Sequence, residues 1–450
     1  MSAKAEDLGA RIDRFDRWPW PWSVMLLVGL TYFFGELDVL TIGLAAPAIG
    51  AQMHVNPVVV ATVGGTIGLS GYLIGAILYS HIADRFGRKI GLAITLISYS
   101  LGSLWTAASP DILNVYASRL LTGIGIGADL AVAAAYLSEL APAKARGHYQ
   151  GFGTFLGFLG AGIIPFLAYL LIPIAPWGWR IIFVIGGVGA VLVIFFRRGL
   201  PESPRWLIAR GRISEAERIV NEMEERYKRR YGELPPIERT LGVVVKETKA
   251  PIASLLADRR YVLRFALVFA VFILYYIYAY PVLVLTTSAL AAAGYAVMTS
   301  LLITGLGGFG YALGGFLNYI FADAFERKHL ISLLLVVQGI SLFGIGLKGP
   351  VWEEVLSYFV FAFTNTFLIS ALYIYAAENF PSWARSTGVA LTDGLGHIGP
   401  LFMLTLAMLM MSAIGFSATW YTLGIIAIAD AALVLLGIRT TKRRLEELAI

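Results

Sequence analysis

Several ionisable side chains sit where the surrounding sequence is apolar: Glu36, Asp38, Arg119, Asp129, Asp393, His397 and Asp430. An uncompensated charge in hydrocarbon costs several kcal/mol, so such residues mark solute or ion routes by default. Asp38 lies about sixteen residues into an apolar run that opens near Pro21. A carboxylate there can load a proton when a cationic neighbour moves away and release it when the neighbour returns. Glu36, two residues earlier, is expected on roughly the opposite helix face, toward a neighbouring helix. Asp129 follows Arg119 by ten residues. Those positions stand about 80° apart around a helix and about 15 Å apart along it, so they cannot share one site. Asp393 lies four residues before His397, on the same face, and an imidazole titrates near physiological pH. His397 is compatible with an anionic or neutral solute; alternatively the two form a local pair satisfying two buried polar groups. Tyr275, Tyr276, Tyr278 and Tyr280, with Thr364, Asn365 and Thr366, are further pocket candidates, although at least two of the tyrosines must point elsewhere.

The elements that must hold these groups are membrane helices. Of 450 residues, 58% are hydrophobic and 14% charged, and no Asp, Glu, Lys or Arg occurs from Val39 to Ala83 or from Phe265 to Ala322. A spanning helix needs about 20 mostly apolar residues. Long continuous runs exclude a membrane barrel, whose segments alternate. Twelve spans are expected, at 22–50, 59–82, 90–108, 112–137, 148–173, 179–196, 261–285, 296–321, 329–347, 354–377, 387–411 and 417–438. The first is too long and too late for a removable signal peptide. The organisation that follows is a terminal segment 1–21, a six-helix half 22–196, a central loop 197–260 with short helices, a second half 261–438 and a tail 439–450. The absence of cysteine excludes disulfides, thiolate metal sites and Cys nucleophiles. No metal site, cofactor or enzymatic motif is expected. The glycines read as helix-packing surfaces, since no strand or lysine accompanies them as in a phosphate loop.

Basic residues gather at one side: Arg11, Arg14, Arg85, Arg88, Lys89, Lys144, Arg327, Lys328 and Arg439 join the central stretch, while the opposite loops hold Lys348 and, at a span edge, Arg180. Both termini are therefore expected in the cytoplasm, and the charge reflects orientation in a bilayer rather than nucleic-acid binding. The halves also repeat. HIADRFGRK, with Asp84 and Arg88, is matched by IFADAFERK, with Asp323 and Arg327. Tyr136, Glu139, Pro142 and Arg146 are matched at identical spacing by Tyr375, Glu378, Pro381 and Arg385. Two parallel halves with a site between them near mid-membrane describe a rocking transporter.

These loops, over nearly the whole chain, resemble those of the major facilitator superfamily. The run Arg119-Leu-Leu-Thr-Gly123-Ile-Gly125-Ile-Gly127 with Tyr136, Glu139, Pro142 and Arg146, then Trp179-Arg180, Phe183 and Pro201-Glu-Ser-Pro-Arg-Trp-Leu207, resembles the sugar-porter signature. The seventh span, VFILYYIYAYPVLVL, lacks the paired glutamines of sugar porters, so a sugar porter with an atypical pocket is only an alternative. Asp38 followed nine residues later by Pro47 is similar to aromatic-acid and organic-acid:proton symporters, and Gly125 to Asp129 to phosphate:proton symporters. The His397 position resembles one that faces the solute in aromatic-acid and organic-cation transporters.

The resemblance implies an all-α membrane protein with twelve transmembrane helices in two pseudo-symmetric halves. It implies Asp38 paired with Arg119 in proton coupling, with Asp129 assisting. Solute contacts are expected from His397, Asp393, Glu36, Tyr276, Tyr280 and Asn365. Asp84, Arg88, Glu139 and Arg146, with Asp323, Arg327, Glu378 and Arg385, are expected to close the cytoplasmic gate; Asp430 is expected to pack. The expected activity is proton-coupled symport of a small organic solute, driven by the proton gradient without a cofactor, by a monomer in the cytoplasmic membrane. An exporter or facilitator of organic cations is the alternative motivated by the intramembrane acids. A membrane sensor is disfavoured because the central segment carries no signalling or catalytic motif.

Overall fold

The structure, a computed structural model, describes residues 3–142, 146–196, 199–237, 258–321, 325–380 and 385–440. Every backbone donor and acceptor in hydrocarbon must be paired within its own segment, which makes helix the default for apolar runs of this length. The first half consists of α1 (Ala3–Asp13), α2 (Trp22–Met53), α3 (Pro57–Phe86), α4 (Arg88–Ala108), α5 (Ile112–Leu140), α6 (Arg146–Leu171) and α7 (Trp179–Phe196). Two short helices follow, α8 (Pro204–Ala209) and α9 (Ile213–Tyr231). The second half holds α10 (Arg259–Ala292), α11 (Val297–Phe321), α12 (Arg327–Gly346), α13 (Val351–Asn379), α14 (Arg385–Gly396), α15 (Ile398–Ala413) and α16 (Phe416–Val434). Among the described residues, 11 helices are long and apolar enough to cross a membrane, with α14 and α15 forming one of them. The remaining span, in α7, is apolar over the shorter stretch Trp179–Val191.

Local signals set the helix starts. Asn56 accepts the Val58 N–H at 2.8 Å ahead of Pro57, and Asp111 accepts the Asn114 N–H at 2.9 Å. Both are side-chain caps that satisfy a first-turn donor. Glycines then let spans approach: a Cβ at Gly127 would overlap the Tyr72 carbonyl, locking α5 onto α3, and one at Gly314 would overlap the Phe363 carbonyl, locking α11 onto α13. The same close pairing thus recurs in each half, without a hydrophobic force between lipid-embedded helices to drive it.

The halves meet at two places. Along one side α6 lies against α11, with the Phe155 and Phe316 rings 5.8 Å apart. At the end remote from the termini, α2 and α3 close against α10 and α15, where Gly43 stands against the Val284 backbone and Gly65 against Val284 and Leu404. Beneath the first half, α1 and the residues just after it pack on α9 through Leu8, Ile12 and Phe15 against Ile219, Val220, Met223 and Tyr227. Arg11 binds Glu224 at 2.7 Å, and Arg205 binds Asp13 at 2.5 Å.

The eleventh span lies where it was expected, as one apolar stretch over Leu391–Ala413, with a kink at His397 between α14 and α15. Pro400 has no N–H to give to the Gly396 carbonyl, and its ring crowds that carbonyl, within a run that also contains Gly394 and Gly399.

Candidate functional site

Asp38 on α2 and Arg119 on α5 form an ion pair of 2.7 Å, with side chains 1% and 4% exposed. The Ser103 hydroxyl on α4 lies 3.1 Å from the Asp38 carboxylate and 3.0 Å from the Phe183 carbonyl on α7. The Arg119 guanidinium lies 5.9 Å from the Phe183 ring. Four helices of one half therefore converge on a single buried pair. Asp129, one helix face away from Arg119, is buried beside Gly35 and lies 3.3 Å from the Thr95 hydroxyl. The space around it is too narrow for a water molecule. Helical geometry separated Arg119 from Asp129, and the structure keeps them in distinct environments.

A second cluster lies between the halves. Asp393 accepts the hydroxyls of Tyr276 at 2.6 Å and Tyr373 at 2.8 Å. His397 places Nδ1 2.9 Å from the Asp393 backbone carbonyl and 3.6 Å from its carboxylate. With the carbonyl as acceptor, Nδ1 carries the proton and Nε2 is left to accept one. Tyr72 from α3 stacks on the His397 ring at 4.9 Å and 20°, while Tyr276 lies 3.9 Å and Tyr280 5.7 Å from the same ring. Tyr275 donates to Asn365 at 2.9 Å. Of the four α10 tyrosines, Tyr276 and Tyr280 border His397, whereas the hydroxyl of Tyr275 turns to Asn365 and that of Tyr278 to Gln338 on α12.

Glu36 is half-buried, with its stem against Gly157 of the neighbouring helix α6 and within electrostatic range of Asp129, Tyr72, Tyr275, Tyr280 and Tyr311. Asp430 is fully buried on α16 with no hydrogen-bond partner among the described residues, apart from this cluster.

At the end carrying the termini, Arg88 binds Glu139 at 2.9 Å and also Asp84. Glu202 accepts the backbone N–H groups of Arg88 at 3.1 Å and Lys89 at 3.4 Å. Burial raises the Glu202 carboxyl above its ordinary range, against those hydrogen bonds. In the second half Arg327 lies 3.8 Å from Glu378. Both sets lie inside one half. Asp323 and the side chains of Arg146 and Arg385 fall outside the described residues. Burial also acts on Glu224 in the α1–α9 contact, but Arg11 and Arg14 outweigh it and hold that carboxyl below its ordinary value.

Sequence reasoning did not single out Tyr72, Tyr373, Ser103 or Thr95. A lone tyrosine or hydroxyl in a span carries no signal of its own; each matters through a contact with another helix.

Twelve spans in two like halves, a buried ion pair in one and a polar aromatic cluster between them define a major facilitator transporter. The sequence profile described as "Sugar (and other) transporter" matches residues 51–450, and the chain belongs to that family. It is 29% identical over 415 residues, 92% of this chain and 91% of the other, to the putative metabolite transport protein YyaJ of Bacillus subtilis (strain 168). It is 28% identical to the niacin transporter NiaP of Acinetobacter baylyi over 99% of this chain and 100% of that one. In fold it resembles the xylose transporter XylE from E. coli in a partially occluded inward-open conformation, with TM-score 0.74 and 20% identity, over 94% of this chain and 99% of that one.

Proposed function

We propose that this transporter is a proton-coupled symporter of a small organic solute, an organic acid or related metabolite, working as a monomer in the cytoplasmic membrane. The observation that carries the reading is the Asp38–Arg119 pair, a single carboxylate and a single cation held together where water is excluded. Neutralising Asp38 with a proton frees Arg119, and restoring the charge recaptures it, so a proton and the state of this pair are linked. Asp129 of the same half assists in handling the proton. The solute is held between the halves by His397, Asp393, Glu36, Tyr276, Tyr280 and Asn365. The halves 22–196 and 261–438 rock about it with both termini and the central segment 197–260 in the cytoplasm, where basic residues gather. Arg88 with Asp84 and Glu139, and Arg327 with Glu378, hold the cytoplasmic ends of each half, with Arg146, Asp323 and Arg385 as further gate residues. The full-length likeness to a niacin transporter favours an organic acid.

One observation favours an organic cation instead. Glu36 has no hydrogen bond or ion pair among the described residues, Asp393 has phenols and His397 for neighbours, and Arg119 is engaged by Asp38. Carboxylates among tyrosine rings suit a cation. Thermal unfolding of the purified protein against carboxylates, sugars, phosphate and amines at two pH values separates the readings. Stabilisation by carboxylates alone supports the first, and by amines alone the second.

A further inference from the structure

The segment ahead of the first span is held on two sides. Toward the central stretch, Leu8, Ile12 and Phe15 share one buried core with α9, and the charges around that core pair across it. Lys4 binds Glu217 at 2.8 Å, Arg11 and Arg14 bind Glu224 at 2.7 and 3.2 Å, Arg14 also donates to the Pro235 carbonyl at 2.7 Å, and Tyr227 donates to Asp16. On the other side, Trp18 is fully buried, its backbone N–H donates to the Tyr149 hydroxyl on α6 at 3.0 Å, and its ring lies 5.0 Å from the Tyr149 ring. Pro19, Trp20 and Pro21 alone separate Trp18 from α2, which starts at Trp22. Two prolines with fixed φ leave that connection little slack. A line of rings continues along α6: Trp22 lies 6.0 Å from Phe152, Phe152 6.3 Å from Phe155, and Phe155 5.8 Å from Phe316 on α11, in the second half. Rings at such separations are in favourable contact. The helix braced at Tyr149 by the N-terminal segment therefore bears, within about two turns, on the seam between the halves.

We propose that residues 3–21 act as a strap: docked on α9, they clamp the starts of α2 and α6 together, so that the first half turns against α11 as one body. The proposal rests on the alternating-access reading above and adds to it a part that lies outside the spans. Helix ends without side-chain partners fray first, and α6 begins close to Tyr149. Its first turns owe their support to Trp18 and Trp22, whose own position is fixed by the α1–α9 core and the Glu224 ion pairs. A seam carries a rocking motion only while each side is stiffer than the contact between them. With the strap undocked, Phe155 yields instead of moving Phe316, and solute exchange slows. The central stretch completes the clamp, because α8 is fastened to the end of α3, where Trp206 and Arg210 donate to the Asp84 carbonyl at 2.8 and 2.6 Å. The strap thus joins α2 and α6 to a base already fixed on α3.

Arg11→Glu with Arg14→Glu sets two like charges beside Glu224, and adding Glu224→Arg makes the charges opposite again. Amide hydrogen exchange in lipid, and exchange across a balanced membrane of a solute selected by thermal unfolding, are measured for the parent and both variants. The reversal is expected to accelerate amide exchange about tenfold in α1 and also between Tyr149 and Phe155 in α6, and to slow solute exchange about three- to tenfold per folded molecule. The third substitution is expected to restore most of both. Tyr149→Phe, which removes the acceptor of the Trp18 N–H and leaves the Glu224 ion pairs in place, is expected to loosen α6 while α1 stays protected; it decides the matter if the reversal does not fold. Release of α1 with the α6 amides as protected as in the parent overturns the proposal. So does solute exchange that is unchanged while α6 frays, or a charge swap that restores neither readout. A parent that exchanges no solute counts against the transport reading, and the α6 amides still decide the strap.

Discussion

Replacing Asp38 by asparagine leaves Arg119, 4% exposed, without its 2.7 Å partner. Removing one member of a buried ion pair costs about 3–5 kcal/mol, because the surviving charge remains desolvated. Arg119→Gln is expected to cost a similar amount by stranding Asp38, which keeps only Ser103 at 3.1 Å. Asp38→Asn with Arg119→Gln removes both charges and is expected to recover much of the loss, since two neutral amides need no counter-ion. Melting of the four proteins in detergent measures the interaction, and transport in liposomes measures its use. If the pair only ties α2 to α5, the double variant regains uphill accumulation along with its stability. If the pair couples the proton, the double variant is stable, exchanges solute across a balanced membrane and fails to concentrate it. A double variant that still concentrates solute refutes the coupling role. Single variants that melt with the parent refute the energetic argument.

Other consequences follow from separate contacts. Tyr276→Phe and Tyr373→Phe each remove a hydrogen bond to Asp393 and are expected to raise the solute concentration for half-maximal exchange about tenfold, the scale of one charge-assisted bond. Unchanged exchange in both places Asp393 outside the solute's route. Gly127→Leu drives a side chain into the Tyr72 carbonyl and is expected to cost at least about 1–3 kcal/mol, read as lower yield and melting temperature. Glu224, ordinarily titrating at 4.5, is held lower by Arg11 and Arg14 once docked, so its contribution is complete above 4.5 and lost as pH falls through the lowered value. Hydrogen exchange along α1 is expected to accelerate over that acidic window, and an Arg11→Ala variant, which leaves only Arg14 on Glu224, to show a weaker acid dependence.

The spans and their duplication were legible because lipid imposes composition directly: no charge from Val39 to Ala83 leaves few alternatives to a buried helix. Asp38 was legible for the same reason, as a charge where charges are costly, and its partner Arg119 through family resemblance. What escaped was whatever depends on two helices meeting. Ser103 beside Asp38 and Tyr72 on His397 join residues 65 and 325 positions apart by sequence number, and neither hydroxyl nor ring marks itself in an apolar run. The kink at His397 had a local cause in Pro400 and its glycines, but hydropathy averages over such a feature.

The most direct test of proton-coupled transport is solute accumulation in liposomes of the purified protein, using a solute selected by thermal unfolding, with an imposed pH gradient. Accumulation above equilibrium while the gradient lasts, collapsing on addition of a protonophore and absent in Asp38→Asn, is the predicted result. Equilibration to equal concentrations regardless of the gradient, or accumulation that persists in Asp38→Asn, would contradict it.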